Sequence, residues 1–299
     1  MKKLKVVVSL PNSSAFQTAQ GEAARSAGVR MGIDLQVMHA NDDCATQGQQ
    51  LLRIMQSPSD LWPSAFIVEP ASGTGLRSVA EMAVAKGIAL VFSNSDVDYF
   101  QRLRKSTQVP VFTVTQGQNE IGQLQGKQFA ALLPNGGSVL YIEGPATSAV
   151  ATQRREGMSN TRPRNISLTK IRSNWSEESA FQSTNDSLRL TSSLAPKFDL
   201  VAGQNHELAL GAKRAFQNIG DIEQRKKILA VPFIGTGISS HVKPLVQDRS
   251  LAAAVVTSLT MELALKLLVR AIESKIQPPE RSVSESYSYP ELDKLAPKP

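Results

Sequence analysis

Short apolar runs alternate along most of the chain with longer stretches in which apolar residues recur every three or four positions. The short runs are nearly continuous, as in strands that are buried on both faces of a parallel sheet. The longer stretches have the spacing of amphipathic helices. Regular alternation of strand and helix predicts an α/β protein built on parallel sheets.

The alternation runs in two series of similar length. The first predicts strands at 4–10, 33–38, 65–69, 88–92 and 109–114, with helices at about 14–31, 45–56 and 75–86. Charges and a proline interrupt it between Asp96 and Pro110. The second predicts a helix near 120–133 and then strands at 138–143, 166–172, 198–203, 227–233 and 251–256. A helix at 259–275 and a late strand at 283–287 complete the prediction.

Composition agrees with a water-exposed globular protein. Of 299 residues, 41% are hydrophobic and 20% charged, and two domains fit this length better than one. No apolar run approaches the roughly 20 residues that span a bilayer. The first residues are basic, as in a signal peptide, but no cleavage pattern follows. The chain is therefore interpreted either as a mature form with an added methionine or as a protein that stays in the cytosol.

Charge and cysteine usage exclude some partners. The net charge of +7 is spread over scattered Lys and Arg residues, so nucleic acid is not expected as a partner. Cys44 is the single cysteine, which excludes an internal disulfide. Its position at a predicted helix start is explained by small size alone.

Catalytic and cofactor motifs are missing from the sequence. There is no nucleophile elbow, no phosphate-binding P-loop and no dinucleotide fingerprint. The three histidines have no second ligand at metal spacing. We therefore expect no catalytic residues, no metal and no cofactor.

Three segments share one pattern of strand, polar loop and helix: Val6 to Ala24, Ala65 to Asp96, and Leu200 to Gly220. Together they resemble type I periplasmic sugar-binding proteins of the ribose-binding kind, from about Lys5 to about Tyr287. The resemblance implies two Rossmann-like parallel-sheet lobes joined by a three-segment hinge. It places one lobe at 1–115 plus 258–283 and the other at 116–257 plus 284–299. Small ligands in such folds bind at the loops after the strands.

In the first lobe, the resemblance assigns ligand contacts to two loops. Ser9 and Asn12 fit the loop after the first strand, and Phe16 keeps the second of two family aromatics. Asn94 and Ser95 stand where the family has an Asp-Arg pair. From the residues alone, Phe16 could equally be a core residue at a helix start.

In the second lobe, Arg154 matches the second arginine of the family's R-x-R-x-x-G-F stretch, and Trp175 falls at a stacking aromatic. Asn205, in AGQNHELALG, matches an asparagine that could also be a helix N-cap. Ile234 and Thr257 replace a family Asp and Gln. With carboxylates lost at 94 and 234, we expect a ligand less polar than ribose, such as a deoxy sugar, a glycoside or a nucleoside-like molecule.

The resemblance implies a solute-binding protein that closes two lobes over a small sugar-like ligand. Its partners would then be the membrane permease subunits of an ABC transporter. The alternative is a cytosolic ligand sensor of the same fold. Lac-repressor-like regulators carry a DNA-binding module of about 60 residues before this core, and no room for one is expected ahead of Leu4. An enzyme on the same scaffold is the third hypothesis.

Overall fold

A computed structural model describes residues 3–72, 74–190 and 198–296. The chain divides into two compact units, Met1–Gln116 with Leu259–Ser284 and Gly117–Ser258 with Glu285–Pro299. We call these unit 1 and unit 2. The chain passes between them after Gln116, after Ser258 and after Ser284. Each bound lies one residue beyond the bound expected from the sequence.

Strands and helices alternate through most of the described residues. The strands are β1 (Lys5–Leu10), β2 (Asp34–His39), β3 (Ala65–Val68), β4 (Ala89–Ser93), β5 (Val111–Gln116), β6 (Gly137–Glu143), β7 (Ile166–Arg172), β8 (Leu200–Gly203), β9 (Phe233–Ile238), β10 (Ala253–Thr257), β11 (Arg281–Ser284) and β12 (Ser286–Tyr289). The helices are α1 (Ala15–Met31), α2 (Cys44–Gln56), α3 (Arg77–Ala85), α4 (Phe100–Lys105), α5 (Gln118–Leu132), α6 (Ala149–Thr161), α7 (Glu177–Leu190), α8 (His206–Gln217), α9 (Ile222–Ala230), α10 (Ser239–Gln247) and α11 (Met261–Ser274).

Unit 1 is built on a parallel sheet in the order β11-β5-β4-β3-β1-β2. Helices α2, α3 and α4 supply the apolar residues that cover one face, around Phe66 and Phe92. Helices α1 and α11 cover the other face. Helix α11 packs into this core, with Leu265 and Leu268 fully buried.

Unit 2 has the order β12-β10-β9-β8-β6-β7, parallel except for β12, which runs antiparallel to β10. One face is covered by helices α7 to α10, around Phe216 and Phe233. The other is covered by α5 and α6, around Phe129 and Met158. In the part of the chain that the structure describes, no helix is long and apolar enough to cross a membrane.

Both sheets change winding direction at corresponding places. In unit 1 the strand order reverses between β1 and β3, and in unit 2 between β6 and β8. The residue after β3, Glu69, donates its N–H to the Ser9 carbonyl at 2.9 Å, and the residue after β8, Gln204, donates to Ile142 at 2.9 Å. Ligands of doubly wound sheets bind at such switch points. Glu69 and Gln204 therefore occupy equivalent positions in the two units.

Two predicted strands are wrong. The apolar run at 227–233 was expected to be a strand, but Ile222–Ala230 is helical and β9 begins only at Phe233. The run marks the end of a helix whose buried residue is Ile228. The late strand at 283–287 is two short strands, β11 and β12, which join different sheets. Helix α4, within the interruption at 96–110, was not predicted because its sequence FQRLRK is short and basic.

Close backbone packing of α5 against α6 leads to a first prediction. A Cβ atom added at Gly157 would overlap the Asn119 carbonyl oxygen, and one at Gly122 would overlap the Arg154 carbonyl oxygen. Gly157→Ala must therefore push the helices apart, and overpacking of this kind costs about 1–3 kcal/mol. We expect the melting temperature to fall by about 2–4 °C per kcal/mol.

The matched control is Gly220→Ala, because a Cβ at the exposed Gly220 meets nothing within 4 Å. Thermal unfolding followed by circular dichroism compares the two variants. Equal melting temperatures for Gly157→Ala and Gly220→Ala would contradict this account of the α5–α6 contact.

Candidate ligand-binding site

A carboxylate occupies the switch point of unit 1. Oε1 of Glu69 accepts a hydrogen bond from Gln17 Nε2 at 2.7 Å, and Oε2 accepts one from Asn94 Nδ2 at 3.0 Å. Asn94 adopts a left-handed backbone with φ of 52°, which asparagine tolerates better than most residues. Its Oδ1 accepts from the Gln116 N–H at 3.1 Å. Two amides on separate elements thus fix the orientation of the carboxylate.

The environment of Glu69 favours its neutral form. Burial raises the pKa of Glu69 from 4.5 to about 7, and the hydrogen bonds from Asn94 and Gln17 oppose this rise only in part. Among the described residues, no cationic side chain forms an ion pair with Glu69. Glu69 as a whole is half-buried.

The other residues predicted in unit 1 fall into two groups. Ser9 is fully buried, and its hydroxyl accepts from Gln47 Nε2 at 3.0 Å, so it supports the site from beneath. Asn12 is tied to the neighbouring loop after β2, because its Nδ2 donates to Asp42 Oδ1 at 2.7 Å. Phe16 and Ser95 are half-buried and lie next to Gln17 and Asn94 in the chain. Phe16 belongs to neither core cluster of unit 1, which argues against the core interpretation.

Arg154 lies at the corresponding edge of unit 2. Its Nε donates to Gln118 Oε1 at 2.8 Å, and its Nη1 donates to the Gln204 carbonyl at 2.5 Å and to Thr236 Oγ1 at 3.0 Å. Its Nη2 donates to no atom of the described residues. An exposed position on a helix is excluded, since the residue is only 7% exposed.

Burial lowers the pKa of Arg154 to about 10, so the guanidinium stays charged at neutral pH. No carboxylate within residues 3–72, 74–190 and 198–296 forms an ion pair with it. The protein therefore holds a buried cation whose remaining nitrogen is available to an acceptor from outside. Buried charges normally require such a partner.

Trp175 stands beside Arg154, with the guanidinium 5.8 Å from the ring centroid. The indole lies so close to Gly144 that a Cβ atom there would overlap the ring. Trp175 has a left-handed φ of 63°, and its carbonyl accepts from Asn205 Nδ2 at 2.9 Å. Asn205 Oδ1 accepts from the Leu208 N–H at 2.8 Å. Asn205 is thus both the N-cap of α8 and the residue that positions Trp175.

Ile234 is not a loop residue, which corrects the sequence-based assignment. It lies near the start of β9, opposite Ala253, and is fully buried in the core with Phe129. The carboxyl end of β9 is Ile238, four residues later. The sequence predicts a strand that ends at Phe233 and so places Ile234 in the loop after it, whereas β9 only begins at Phe233.

Thr257 ends β10 opposite Ile238 and is nearly buried. No hydrogen bond joins it to the Arg154 cluster within the described chain. His206 places Nδ1 3.2 Å from the Thr236 carbonyl, and its ring centroid is 5.5 Å from that of His241. Burial lowers the pKa of His206, which favours the neutral imidazole at pH 7.

The sequence does not single out several residues of the group around Glu69 in unit 1 and the group around Arg154 in unit 2: Gln17, Glu69, Gln118, Gln204 and Thr236. Glu69 was read as the last residue of a buried strand, and Gln204 stood unremarked beside Asn205. A usable signal existed. Both are polar residues directly after apolar runs that end at the carboxyl edge of a parallel sheet.

The raised pKa of Glu69 predicts a pH-dependent stability. The unfolded carboxyl loses its proton near pH 4.5 but the folded one only near 7, so the native state binds more protons in between and stability falls as pH rises. The Glu69→Gln variant has no carboxyl at this position, so it does not lose stability in this way as pH rises. Relative to the native protein it should gain about 1–3 kcal/mol between pH 5 and pH 8, measured by urea unfolding.

Glu22→Gln serves as the control, because Glu22 is exposed on α1 of the same unit. Glu22→Gln keeps the Glu69 carboxyl, so the stability of this variant should fall with rising pH as that of the native protein does. A Glu69→Gln variant whose stability falls in the same way would show that burial does not govern this carboxyl.

Comparisons with known proteins agree with this fold. Residues 6–275 match the family described as periplasmic binding protein domain. A xylitol-binding protein of Mycolicibacterium smegmatis is 25% identical over 219 residues, covering 72% of this chain and 58% of that protein. The chain spans less than two thirds of the length of the curated relatives it matches.

Solved structures show the same fold. An ABC transporter periplasmic solute binding protein from Actinobacillus succinogenes 130z with bound D-allose has a TM-score of 0.79 at 18% identity, covering 98% of this chain and 99% of that one. An ABC transporter solute binding protein from Mycobacterium smegmatis with bound glycerol has a TM-score of 0.74 at 21% identity, covering 99% and 98%. The expected two-lobe α/β fold is confirmed. Since the family match spans well over half of the sequence, the chain belongs to the periplasmic binding protein domain family.

Proposed function

We propose that this protein is a solute-binding protein that closes its two units over a small, polyhydroxylated, sugar-like ligand. One observation carries the proposal. Each unit holds an ionisable group at its switch point, Glu69 or Arg154, which amides orient and which forms no ion pair within the residues that the structure describes. A carboxylate accepts hydrogen bonds from hydroxyls, and a guanidinium donates to them.

The aromatic residues fit the same ligand class. Trp175 and Phe16 are half-buried at the carboxyl edges of their sheets. Aromatic faces pack against the C–H faces of sugar rings and polyols, while the charged groups bind the hydroxyls. The relatives and solved structures described above bind xylitol, D-allose and glycerol, which are all polyhydroxylated.

The proposed biological role is delivery of the ligand to an ABC-type uptake system, with membrane permease subunits as partners. The family match and the transporter-linked solved structures support this role. We assign no catalytic step to the protein, since binding is the role that the family carries.

A thermal-shift screen against sugars, polyols and nucleosides tests the proposal. A ligand that binds only the folded state stabilises it by about 2.7 kcal/mol at a concentration of 100 Kd. At least one sugar or polyol should raise the melting temperature by several degrees at millimolar concentration. If only nucleosides do so, or if no compound does, the proposed ligand class is wrong.

A further inference from the structure

The carboxylate that follows β3 in unit 1 and the carboxylate that ends β6 in unit 2 have different hydrogen-bond and ion-pair partners. Glu143, the last residue of β6, is 2% exposed, and Arg155 Nη1 lies 3.4 Å and Arg172 Nε 4.0 Å from its Oε2. Glu69, which follows β3, has only amide partners. The same fold thus supplies guanidinium groups to a carboxylate that has a structural role and supplies none to Glu69.

The elements around Glu69 contribute amides and no charges. Gln17 comes from α1, Gln47 from α2 and Asn94 from the residue after β4. None of the titratable groups in the described chain shifts the ionisation of Glu69 through its charge. Each carboxylate oxygen accepts one hydrogen bond from these amides, although it can accept two. Lone pairs therefore remain for a ligand.

From this geometry we infer that the ligand carries a basic nitrogen among its hydroxyls, and that Glu69 binds the resulting cation. The ligand class is an amino sugar or amino polyol. This inference rests on the proposed function and narrows its ligand class. A protonated amine supplies both a positive charge, which none of the described residues offers to Glu69 as an ion pair, and up to three N–H donors for the remaining lone pairs of Glu69.

Ionisation of Glu69 should make the preference for an amine depend on pH. Because burial raises the pKa of Glu69 to about 7, the carboxyl is mostly neutral at pH 5.5 and mostly charged at pH 8. An ammonium group gains from the charged form only. The preference for an amine over a hydroxyl should therefore grow as pH rises from 5.5 to 8.

Matched pairs of compounds that differ in one group test the inference: D-glucose with D-glucosamine, xylitol with 1-amino-1-deoxyxylitol, and D-allose with 2-amino-2-deoxy-D-allose. Calorimetry at pH 5.5 and pH 8 gives the ratio of dissociation constants in each pair. For at least one pair, the amine should bind at least tenfold more tightly at pH 8, about 1.4 kcal/mol. This advantage should shrink at pH 5.5.

Two variants make the test specific. Glu69→Gln should reduce the amine preference to within about twofold, whereas Glu22→Gln, on the exposed side of α1, should retain it. If neutral polyols bind as tightly as their amines at pH 8, the inference is wrong and the proposed function stands. If Glu69→Gln keeps the preference, the cation binds elsewhere and the inference is wrong. If no compound of any pair binds while another sugar or polyol raises the melting temperature in the thermal-shift screen, the inference is wrong and the proposed function stands.

Discussion

Arg154→Lys should weaken binding of the cognate ligand about a hundredfold or more. The guanidinium satisfies three acceptors in unit 2 and still has Nη2 available, which a lysine ammonium on a flexible stem cannot reproduce. Each lost hydrogen bond to a charged group is worth about 1.5–3 kcal/mol, and two such losses exceed two decades of affinity. Calorimetric titration measures the change.

Arg155→Lys is the matched control. Arg155 is the next residue on α6 and pairs with Glu143, away from the Arg154 cluster. Lysine can keep that ion pair, so affinity should stay within about threefold, or roughly 0.6 kcal/mol. Comparable losses in both variants would mean that α6 as a whole, and not the Arg154 guanidinium, determines affinity.

Trp175→Ala should weaken the ligand about thirtyfold or more. Truncation of a buried aromatic anchor typically costs 2 kcal/mol or more, and about 1.4 kcal/mol corresponds to a factor of ten. The indole is supported from behind by Gly144 and held by the Asn205 contact to its carbonyl, so its position is fixed before a ligand arrives. Since the indole also packs against the core around Phe216 and Phe233, the variant should lose stability as well, so the titration is performed below its melting temperature, where circular dichroism shows it to be folded.

The second tryptophan provides an internal control. Trp62 donates its indole N–H to the Ser57 carbonyl at 2.9 Å, and Lys86 lies 3.9 Å from its ring centroid. Ligand titration should change the fluorescence of the native protein and of Trp62→Phe, but much less that of Trp175→Phe. A signal that instead disappears in Trp62→Phe would show that the site has been placed wrongly.

Much of the fold could be predicted because buried parallel strands have an unmistakable pattern. Continuous apolar runs such as VVVSL and AFIV, each followed by a helical period, became β1 and β3. The prediction failed where an equally apolar run belongs to a helix instead of a strand. The run at 227–231 is apolar enough for a strand, but it forms the end of helix α9. Whether such a run becomes a strand or the end of a helix depends on the strands beside it in the fold, which the sequence does not show.

The site was predicted less completely than the fold. Matched motifs predict Arg154, Trp175 and Asn205 as ligand contacts, and the structure places these three residues next to one another. Glu69 and Gln204 were missed because their importance comes from the sheet order. Pairing places β3 beside β1 and β8 beside β6, and sequence spacing does not reveal these neighbours.

The expectation of a less polar ligand also changes. It depended on carboxylates lost at positions 94 and 234, but Ile234 lies in the core and Asn94 donates to a carboxylate that replaces the missing charge. Unit 1 therefore does hold a carboxyl group, that of Glu69, which two amides orient and which accepts hydrogen bonds when it is ionised. This favours a ligand rich in hydrogen-bond donors.

Calorimetric titration of the most stabilising compound from the thermal-shift screen tests the central claim most directly. The compared proteins are the native chain, Phe16→Ala in unit 1 and Trp175→Ala in unit 2. The account predicts one ligand per chain, a micromolar or lower dissociation constant, about 8 kcal/mol or more of binding free energy, and weaker binding in both variants. An affinity that is unchanged in Phe16→Ala or in Trp175→Ala, or the binding of more than one ligand molecule per chain, would contradict the account.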